Sequence, residues 1–180
     1  KVKKRPQVFS TTSTEKIEWE KVVSLKRSSE RSWDLEDYSS GKDWGNLLHL
    51  ALSRVNNTDE IDLVVDGLLS EGVCVWENKE KLKSELSRLL GHTELQEFFD
   101  KKWEVKNEKE ILTKEGSSYI PDRLLFYKNT TIIIDYKTGS PSSSHNDQIN
   151  NYAFILQEMG YTNIEKYLIY TNDEQLVHKI

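Results

Sequence analysis

The sequence has a single cysteine, Cys74, and no long hydrophobic run. One cysteine excludes a disulfide within the chain, and it excludes any zinc or iron–sulfur site that needs four thiolates. No apolar run approaches the roughly 20 residues that a membrane span requires, and no charged-then-apolar signal segment opens the chain. We therefore expect a cytoplasmic protein with no membrane partner.

The chain also lacks an excess of positive charge. It has 25 Lys and Arg residues against 30 Asp and Glu residues, which gives a net charge of −5. Such a surface repels a polyanion as a whole, so any contact with nucleic acid must be local. Because residue 1 is Lys rather than Met, we expect the chain to be part of a longer polypeptide.

Domain organisation follows from length and apolar content. With 180 residues, 36% of them hydrophobic, the chain can bury one sizeable core. Residues 1–40 have few apolar positions, which predicts a partly disordered linker or arm before one domain at residues 41–180. The basic start of this arm, Lys1-Val2-Lys3-Lys4-Arg5, suits either a solvated linker or a contact with phosphate.

Helical periodicity dominates the first half of the domain. Asp43 is the predicted N-cap of a helix that runs through Val55 and carries His49 beside its apolar stripe. Three further helices are predicted after Thr58, Asn78 and Thr93, the first two ending at Gly72 and Gly91. Thr93 and Gln96 have the spacing of a capping box.

The second half has the period of two that is typical of strands, from Ser118 to Tyr127 and from Thr131 to Lys137. Lys128-Asn129 predicts a hairpin turn between them, because Asn tolerates left-handed backbone geometry. A helix from His145 to Met159 and closing strands at 165–171 and 175–180 follow. The predicted fold class is α/β, a mixed sheet flanked by helices with a helical N-terminal part.

The hairpin brings two acidic residues together. A two-residue loop at Lys128-Asn129 places Asp122 directly opposite Asp135, on the strand face that Lys137 shares. Like charges so placed are destabilising unless compensated. Mg²⁺ would compensate them, since it takes carboxylates together with waters and substrate phosphate. The alternative is that both are exposed strand-end residues, salt-bridged to Lys137 and Arg123.

The predicted helix after this hairpin has a polar stripe beside an apolar one. The polar stripe consists of His145, Gln148 and Tyr152, and the apolar stripe consists of Ile149, Ala153 and Leu156. If the apolar stripe packs on the sheet, the polar stripe lines a cleft beside the two aspartates. The alternative is an ordinary amphipathic helix with a polar outer face.

Four pieces of the sequence, in order, resemble the RecB-like branch of the PD-(D/E)XK nuclease superfamily, over roughly Trp44 to Ile180. The pieces are Gly45-Asn46-Leu47-Leu48-His49, Pro121-Asp122-Arg123, Ile134-Asp135-Tyr136-Lys137-Thr138-Gly139 and Gln148-Ile149-Asn150-Asn151-Tyr152. The resemblance is closest to nuclease modules at the C-terminus of UvrD-type helicases, as in AddA and RecB. It implies a restriction-endonuclease-like fold.

The resemblance also implies a role for each matching residue. The implied metal ligands are His49, Asp122, Asp135 and the carbonyl of Tyr136, and Lys137 is the implied catalytic lysine beside the two aspartates. Gln148 and Tyr152 match an element that organises the site and binds substrate. Glu108 or Glu110 resembles an acidic element ahead of the first aspartate, and the sequence does not choose between them.

The activity implied by this resemblance is that of a Mg²⁺-dependent deoxyribonuclease, an exonuclease in which Mn²⁺ would substitute. The implied context is a larger helicase–exonuclease in DNA end processing and recombinational repair, with DNA, helicase domains of the same polypeptide and a partner subunit as partners. A catalytically silent nuclease-fold module that binds DNA or docks on a helicase is the alternative. A sugar- or nucleotide-binding α/β domain is not supported, because the chain has no Gly-rich phosphate loop.

Overall fold

The structure is a computed structural model that describes residues 41–113, 116–173 and 175–180. The arm predicted over residues 1–40 lies outside the described residues. The helices of the described part are α1 (Gly41–Arg54), α2 (Ile61–Ser70), α3 (Lys79–Leu90) and α4 (Ser143–Glu158). Its strands are β1 (Glu104–Asn107), β2 (Ile111–Leu112), β3 (Ser118–Tyr119), β4 (Arg123–Tyr127), β5 (Thr130–Lys137), β6 (Asn163–Tyr170) and β7 (Val177–Lys179). Of these helices, none has the length and apolar character of a membrane span.

Five strands form one mixed sheet in the order β1-β4-β5-β6-β7. The β5–β6 pair is parallel and the other pairs are antiparallel. Helix α4 makes the crossover that a parallel pair requires, and β2 and β3 form a separate two-stranded sheet. The mixed sheet with flanking helices confirms the predicted α/β class and is consistent with a restriction-endonuclease-like fold.

The core lies on both faces of β5. Ile132, Ile134 and Tyr136 pack in one apolar cluster with α1, α2 and α3, whereas Ile133 packs in another with α4. Alternate side chains of a strand point to opposite faces. Because both faces are covered, β5 is buried along most of its length, as expected for a strand with a parallel neighbour.

The hairpin register is confirmed, since Arg123 pairs with Ile134 and Tyr127 pairs with Thr130. Two details of the prediction are wrong. The left-handed residue of the turn is Lys128, with φ 52°, rather than Asn129. The strand expected from Ser118 to Tyr127 is interrupted between β3 and β4, at a segment that contains Pro121, which has no N–H to donate to a strand ladder.

Two predicted helix caps are also wrong. Asp43 lies inside α1 (Gly41–Arg54) rather than in front of it. The segment after Thr93 is a 3₁₀ helix, Gln96–Phe99, that begins after Leu95 without a side-chain cap. Gln96 instead uses its side-chain amide to donate to the carbonyl of Gly91, so its hydrogen bond satisfies the end of α3 rather than the start of the next turn.

The predicted C-terminal ends of the helices agree better with the structure than the predicted caps do. Gly72 and Gly160 have positive φ angles of 71° and 97° and follow α2 and α4, where the sequence predicts the chain to leave the helix. Residues with a Cβ rarely adopt this conformation. The helix expected over His145–Met159 is α4, which begins two residues earlier, at Ser143, and ends at Glu158.

Candidate active site

Asp122 and Asp135 lie together where β4 begins and β5 ends. Asp122 directly precedes β4, and its Oδ2 accepts a hydrogen bond from the backbone N of Tyr136 at 2.8 Å. The side chains are buried, with relative exposures of 3% for Asp122 and 1% for Asp135. The alternative of two exposed strand-end carboxylates is therefore wrong.

One carboxyl of the acidic pair has a raised pKa. Burial, and then the negative charge of Asp122, raise the pKa of Asp135 from 3.8 to about 6, against the opposing effect of Lys137. The Lys137 ammonium lies against Asp135 Oδ2 as an ion pair. Among the described residues, however, no donor is aligned with this oxygen for a hydrogen bond. One ammonium thus leaves the two buried carboxylates incompletely compensated.

Helix α1 brings His49 to the same place. His49 Nδ1 lies 3.7 Å from Asp122 Oδ2, and its ring meets Tyr136 edge-on at a centroid distance of 6.0 Å. The approach of α1 depends on Gly45, because a Cβ at this position would lie 3.1 Å from Oγ1 of Thr138. A glycine in the first predicted motif therefore lets the helix pack closely against the residue after β5.

Tyr136 contributes its backbone rather than its phenol to this site. Its side chain packs in the cluster on the α1–α3 face of the sheet, where burial raises its pKa to about 12. Its N–H points toward Asp122. The N–H and C=O of one strand residue point to the same side of the strand, so the Tyr136 carbonyl also faces the side of β5 on which Asp122 lies.

A chain of hydrogen bonds leads from Lys137 into α4. Lys137 Nζ donates to Gln148 Oε1 at 2.9 Å, and Gln148 Nε2 donates to the Tyr152 hydroxyl at 2.8 Å. The Tyr152 hydroxyl in turn donates to the carbonyl of Ile120 at 3.4 Å. Tyr152 is buried. Gln148 is exposed on its other side, although it bonds to Lys137 and Tyr152. The alternative of a polar outer face is therefore wrong for Tyr152.

The structure separates the two acidic candidates ahead of Asp122. The backbone N of Glu108 donates to the carbonyl of Asp122 at 3.0 Å, and Glu108 has a left-handed φ of 45°. Glu110 instead accepts a hydrogen bond from Ser118 Oγ at 2.5 Å. It lines a groove of about 610 Å³ whose described lining residues include none of the predicted metal ligands. Only Glu108 adjoins the acidic pair.

The described residues contain no group of three or more His, Cys, Asp or Glu side chains arranged to hold a metal ion. The acidic pair nevertheless fits a hard divalent cation. Mg²⁺ usually binds through one or two protein carboxylates and completes its shell with waters and substrate phosphates. Two buried carboxylates with an oxygen that lacks an aligned donor supply this donor set.

Sequence reasoning missed the position of Arg123. Its side chain is completely buried and donates to the carbonyls of Val55, Asn56 and Phe98 at 2.7, 2.9 and 3.2 Å. It does not form the salt bridge to an aspartate that the alternative interpretation expected. Arg123 instead ties the end of α1 to the start of β4, so it links the element that carries His49 to the residue next to Asp122.

Tyr170 was also missed, because no motif contains it. It lies directly opposite Lys137 in the parallel β5–β6 pair. Its hydroxyl is 2.9 Å from Nδ1 of His145, so His145 bonds to β6 while the rest of the polar stripe bonds to Lys137. The sequence signal for this contact is weak, since it requires knowing which strand pairs with β5.

Comparison with known families agrees with this geometry. A sequence model of the PD-(D/E)XK nuclease superfamily matches residues 21–178. No curated protein matches the chain. The matched range contains His49, Asp122, Asp135, Lys137 and the whole of α4.

Proposed function

Because the chain belongs to the PD-(D/E)XK nuclease superfamily, whose members are usually metal-dependent nucleases, we propose that it hydrolyses phosphodiester bonds of DNA. The observation that carries this proposal is the buried pair of Asp122 and Asp135, with the Lys137 ammonium against it. Two buried like charges oppose folding, and arrangements of this kind cluster at functional sites. The function that fits these oxygen donors is to hold a cation at a phosphate.

In this proposal Asp122 and Asp135 would hold Mg²⁺, for which Mn²⁺ would substitute, and His49 and the Tyr136 carbonyl are the further ligands that the resemblance implies. When bound, the ion would lower the pKa of a water and neutralise charge on the phosphate. Glu108 is the acidic residue that we assign to the edge of this site, because its backbone is hydrogen-bonded to Asp122.

Lys137 is the residue that we assign to the reacting phosphate. The hydrogen bonds from Ile120 through Tyr152 and Gln148 fix the position of its ammonium. From there it can donate to the attacking water or to a phosphate oxygen that gains negative charge. Gln148 and Tyr152 thus act on substrate binding and site geometry through the placement of Lys137.

The test is DNA cleavage by the full chain with Mg²⁺ or Mn²⁺, with excess chelator, and with the Lys137→Ala variant. We expect no cleavage in chelator, and a fall in kcat of about 10²-fold or more for Lys137→Ala, as for the loss of a preorganised donor. Lys83→Ala is the matched control, since Lys83 is a half-exposed lysine paired with Asp62 on the helical side. Cleavage in chelator, or an unchanged rate for Lys137→Ala with a native circular dichroism spectrum, would contradict the mechanism.

We further propose that the chain acts as an exonuclease module of a helicase–nuclease in DNA end processing and recombinational repair. The four sequence pieces that resemble the RecB-like branch support this context. Linear and covalently closed circular DNA of the same sequence distinguish the two modes of cutting. Degradation of the linear form alone supports exonuclease action, whereas cutting of the circle indicates an endonuclease.

A further inference from the structure

His145 lies beside Lys137 but takes no part in the hydrogen-bond chain that fixes it. It is half-buried in the first turn of α4, three residues before Gln148, and therefore about 4.5 Å from it along the helix axis. Burial, and then the positive charge of Lys137, lower the pKa of His145 below its ordinary value. Both effects favour the neutral imidazole.

Tyr170 holds the His145 ring in place. The Tyr170 hydroxyl is 2.9 Å from His145 Nδ1, and the two ring centroids are 5.8 Å apart. Tyr170 itself is buried and packs edge-on against His178 at 5.0 Å. Because Tyr170 pairs with Lys137 across the parallel strands, the sheet sets the distance between the imidazole and the ammonium.

The hydrogen bond to Tyr170 leaves one ring nitrogen for another partner. Among the described residues, the one hydrogen bond of the His145 side chain is made through Nδ1. If Nδ1 accepts the proton of the Tyr170 hydroxyl, Nε2 carries a hydrogen and is a donor. Phosphodiester oxygens can only accept hydrogen bonds, so a bound strand selects this tautomer.

We propose that His145, held by Tyr170, binds a phosphate of the nucleic-acid strand next to the phosphate that is cleaved. This inference rests on the proposed nuclease function, and it assigns to the site a substrate-binding residue outside the metal ligands, Lys137 and the Gln148–Tyr152 pair. The contact is a hydrogen bond from a neutral donor. It should therefore contribute to DNA affinity without adding to the salt dependence of binding.

The experiment compares the wild type with His145→Ala, His145→Gln and Tyr170→Phe. The dissociation constant for a fluorescein-labelled single-stranded oligonucleotide is measured at pH 8 in excess chelator, where no hydrolysis occurs, and KM and kcat are measured with Mg²⁺. Gln157→Ala, an exposed polar residue of the same helix, is the control. Thermal melting checks that each variant is folded.

We expect His145→Ala to raise both Kd and KM about tenfold, which corresponds to the loss of one hydrogen bond to a charged group, and to leave kcat within about twofold. Tyr170→Phe should raise Kd by a smaller factor than His145→Ala does. His145→Gln should bind DNA more tightly than His145→Ala, and Gln157→Ala should have the Kd of the wild type. The slope of log Kd against log salt should not change, whereas loss of a cation would reduce its magnitude by about 0.7.

The inference is overturned if His145→Ala binds DNA as the wild type does, if it lowers kcat alone, or if it changes the salt slope. A wild type that binds DNA in a His145-dependent way but does not cleave it supports the inference and contradicts the proposed hydrolysis. A wild type that neither binds nor cleaves DNA contradicts the proposed function, and the inference fails with it.

Discussion

At the scale of single residues, the candidate site destabilises the metal-free fold. Asp122 and Asp135 are buried next to each other, although transfer of a carboxylate from water into a protein is unfavourable and like charges repel. Lys137 offsets part of this cost as an ion pair. Burial and like-charge repulsion raise carboxyl pKa values, and raised values are common at functional sites. They also make the free energy of unfolding depend on pH.

The effect has a defined sign. The pKa of Asp135 is raised in the folded state from 3.8 to about 6, so the folded protein binds this proton more tightly than the unfolded chain does. Its stabilising contribution is fully present below about pH 3.8 and is lost as the pH rises through about 6. We therefore expect metal-free Asp135→Asn protein to gain stability relative to the wild type over this window, by on the order of 3 kcal/mol at pH 7.5.

Urea denaturation of both proteins in chelator, between pH 4.5 and 7.5, measures this difference. A gap in unfolding free energy that stays constant with pH would contradict the prediction, as would an Asn variant that is less stable at pH 7.5. Mg²⁺ provides an internal check. It should stabilise the wild type more than the variant, because a ligand that binds only the folded state raises its stability.

At the scale of elements, α4 combines two roles on adjacent stripes. Ile149 and Leu156 pack against the sheet, while Gln148 and Tyr152 connect to Lys137. The polar residues therefore influence the geometry of the site, and the apolar residues determine how firmly the helix is attached. Mutations on the two stripes should separate activity from stability.

We expect Gln148→Ala and Tyr152→Phe each to lower kcat about tenfold, the effect of one lost hydrogen bond to a charged or polar group, with little change in unfolding free energy. Leu156→Ala should instead lower the unfolding free energy by about 2 to 5 kcal/mol, because it leaves a cavity in the core. Cleavage rates and urea denaturation of the three variants provide the comparison. Equal destabilisation by Gln148→Ala and Leu156→Ala, or a full cleavage rate for both polar variants, would contradict it.

The pairing of the strands shows which parts of the fold can be predicted from the sequence. The pairing of β4 with β5 could be predicted, because a two-residue turn fixes the register of a hairpin. The break at Pro121 could not, since the alternation of side chains continues across it. The parallel pairing of β5 with β6 could not be predicted either, because it depends on a crossover helix and not on local periodicity. The contact between His145 and Tyr170 follows from that pairing.

At the scale of the whole molecule, the site forms where α1, β4, β5 and α4 meet. Local patterns identified Asp122, Asp135 and Lys137, since a single hairpin brings them together. They could not place His49 beside Asp122, because that contact depends on Gly45 packing against Thr138 and on a buried Arg123. Long-range packing of this kind is set by the assembled core and leaves little trace in sequence periodicity.

The charge of the whole chain leads to the last prediction. With a net charge of −5, the chain repels DNA on average, so a strand reaches the site less often than it would on a neutral protein. Linking the chain to a basic, sequence-independent DNA-binding module should therefore raise the effective concentration of DNA at the site. We expect the fusion to lower KM by at least about tenfold at low salt and to leave kcat unchanged, because the module does not touch the reacting phosphate. The advantage should disappear as salt is raised, since the module contacts the DNA backbone through charge.

An equimolar mixture of the unlinked module and chain is the control, and it should behave as the chain alone. A fusion with an unchanged KM at low salt, or one whose gain is entirely in kcat, would show that delivery of DNA does not limit this site.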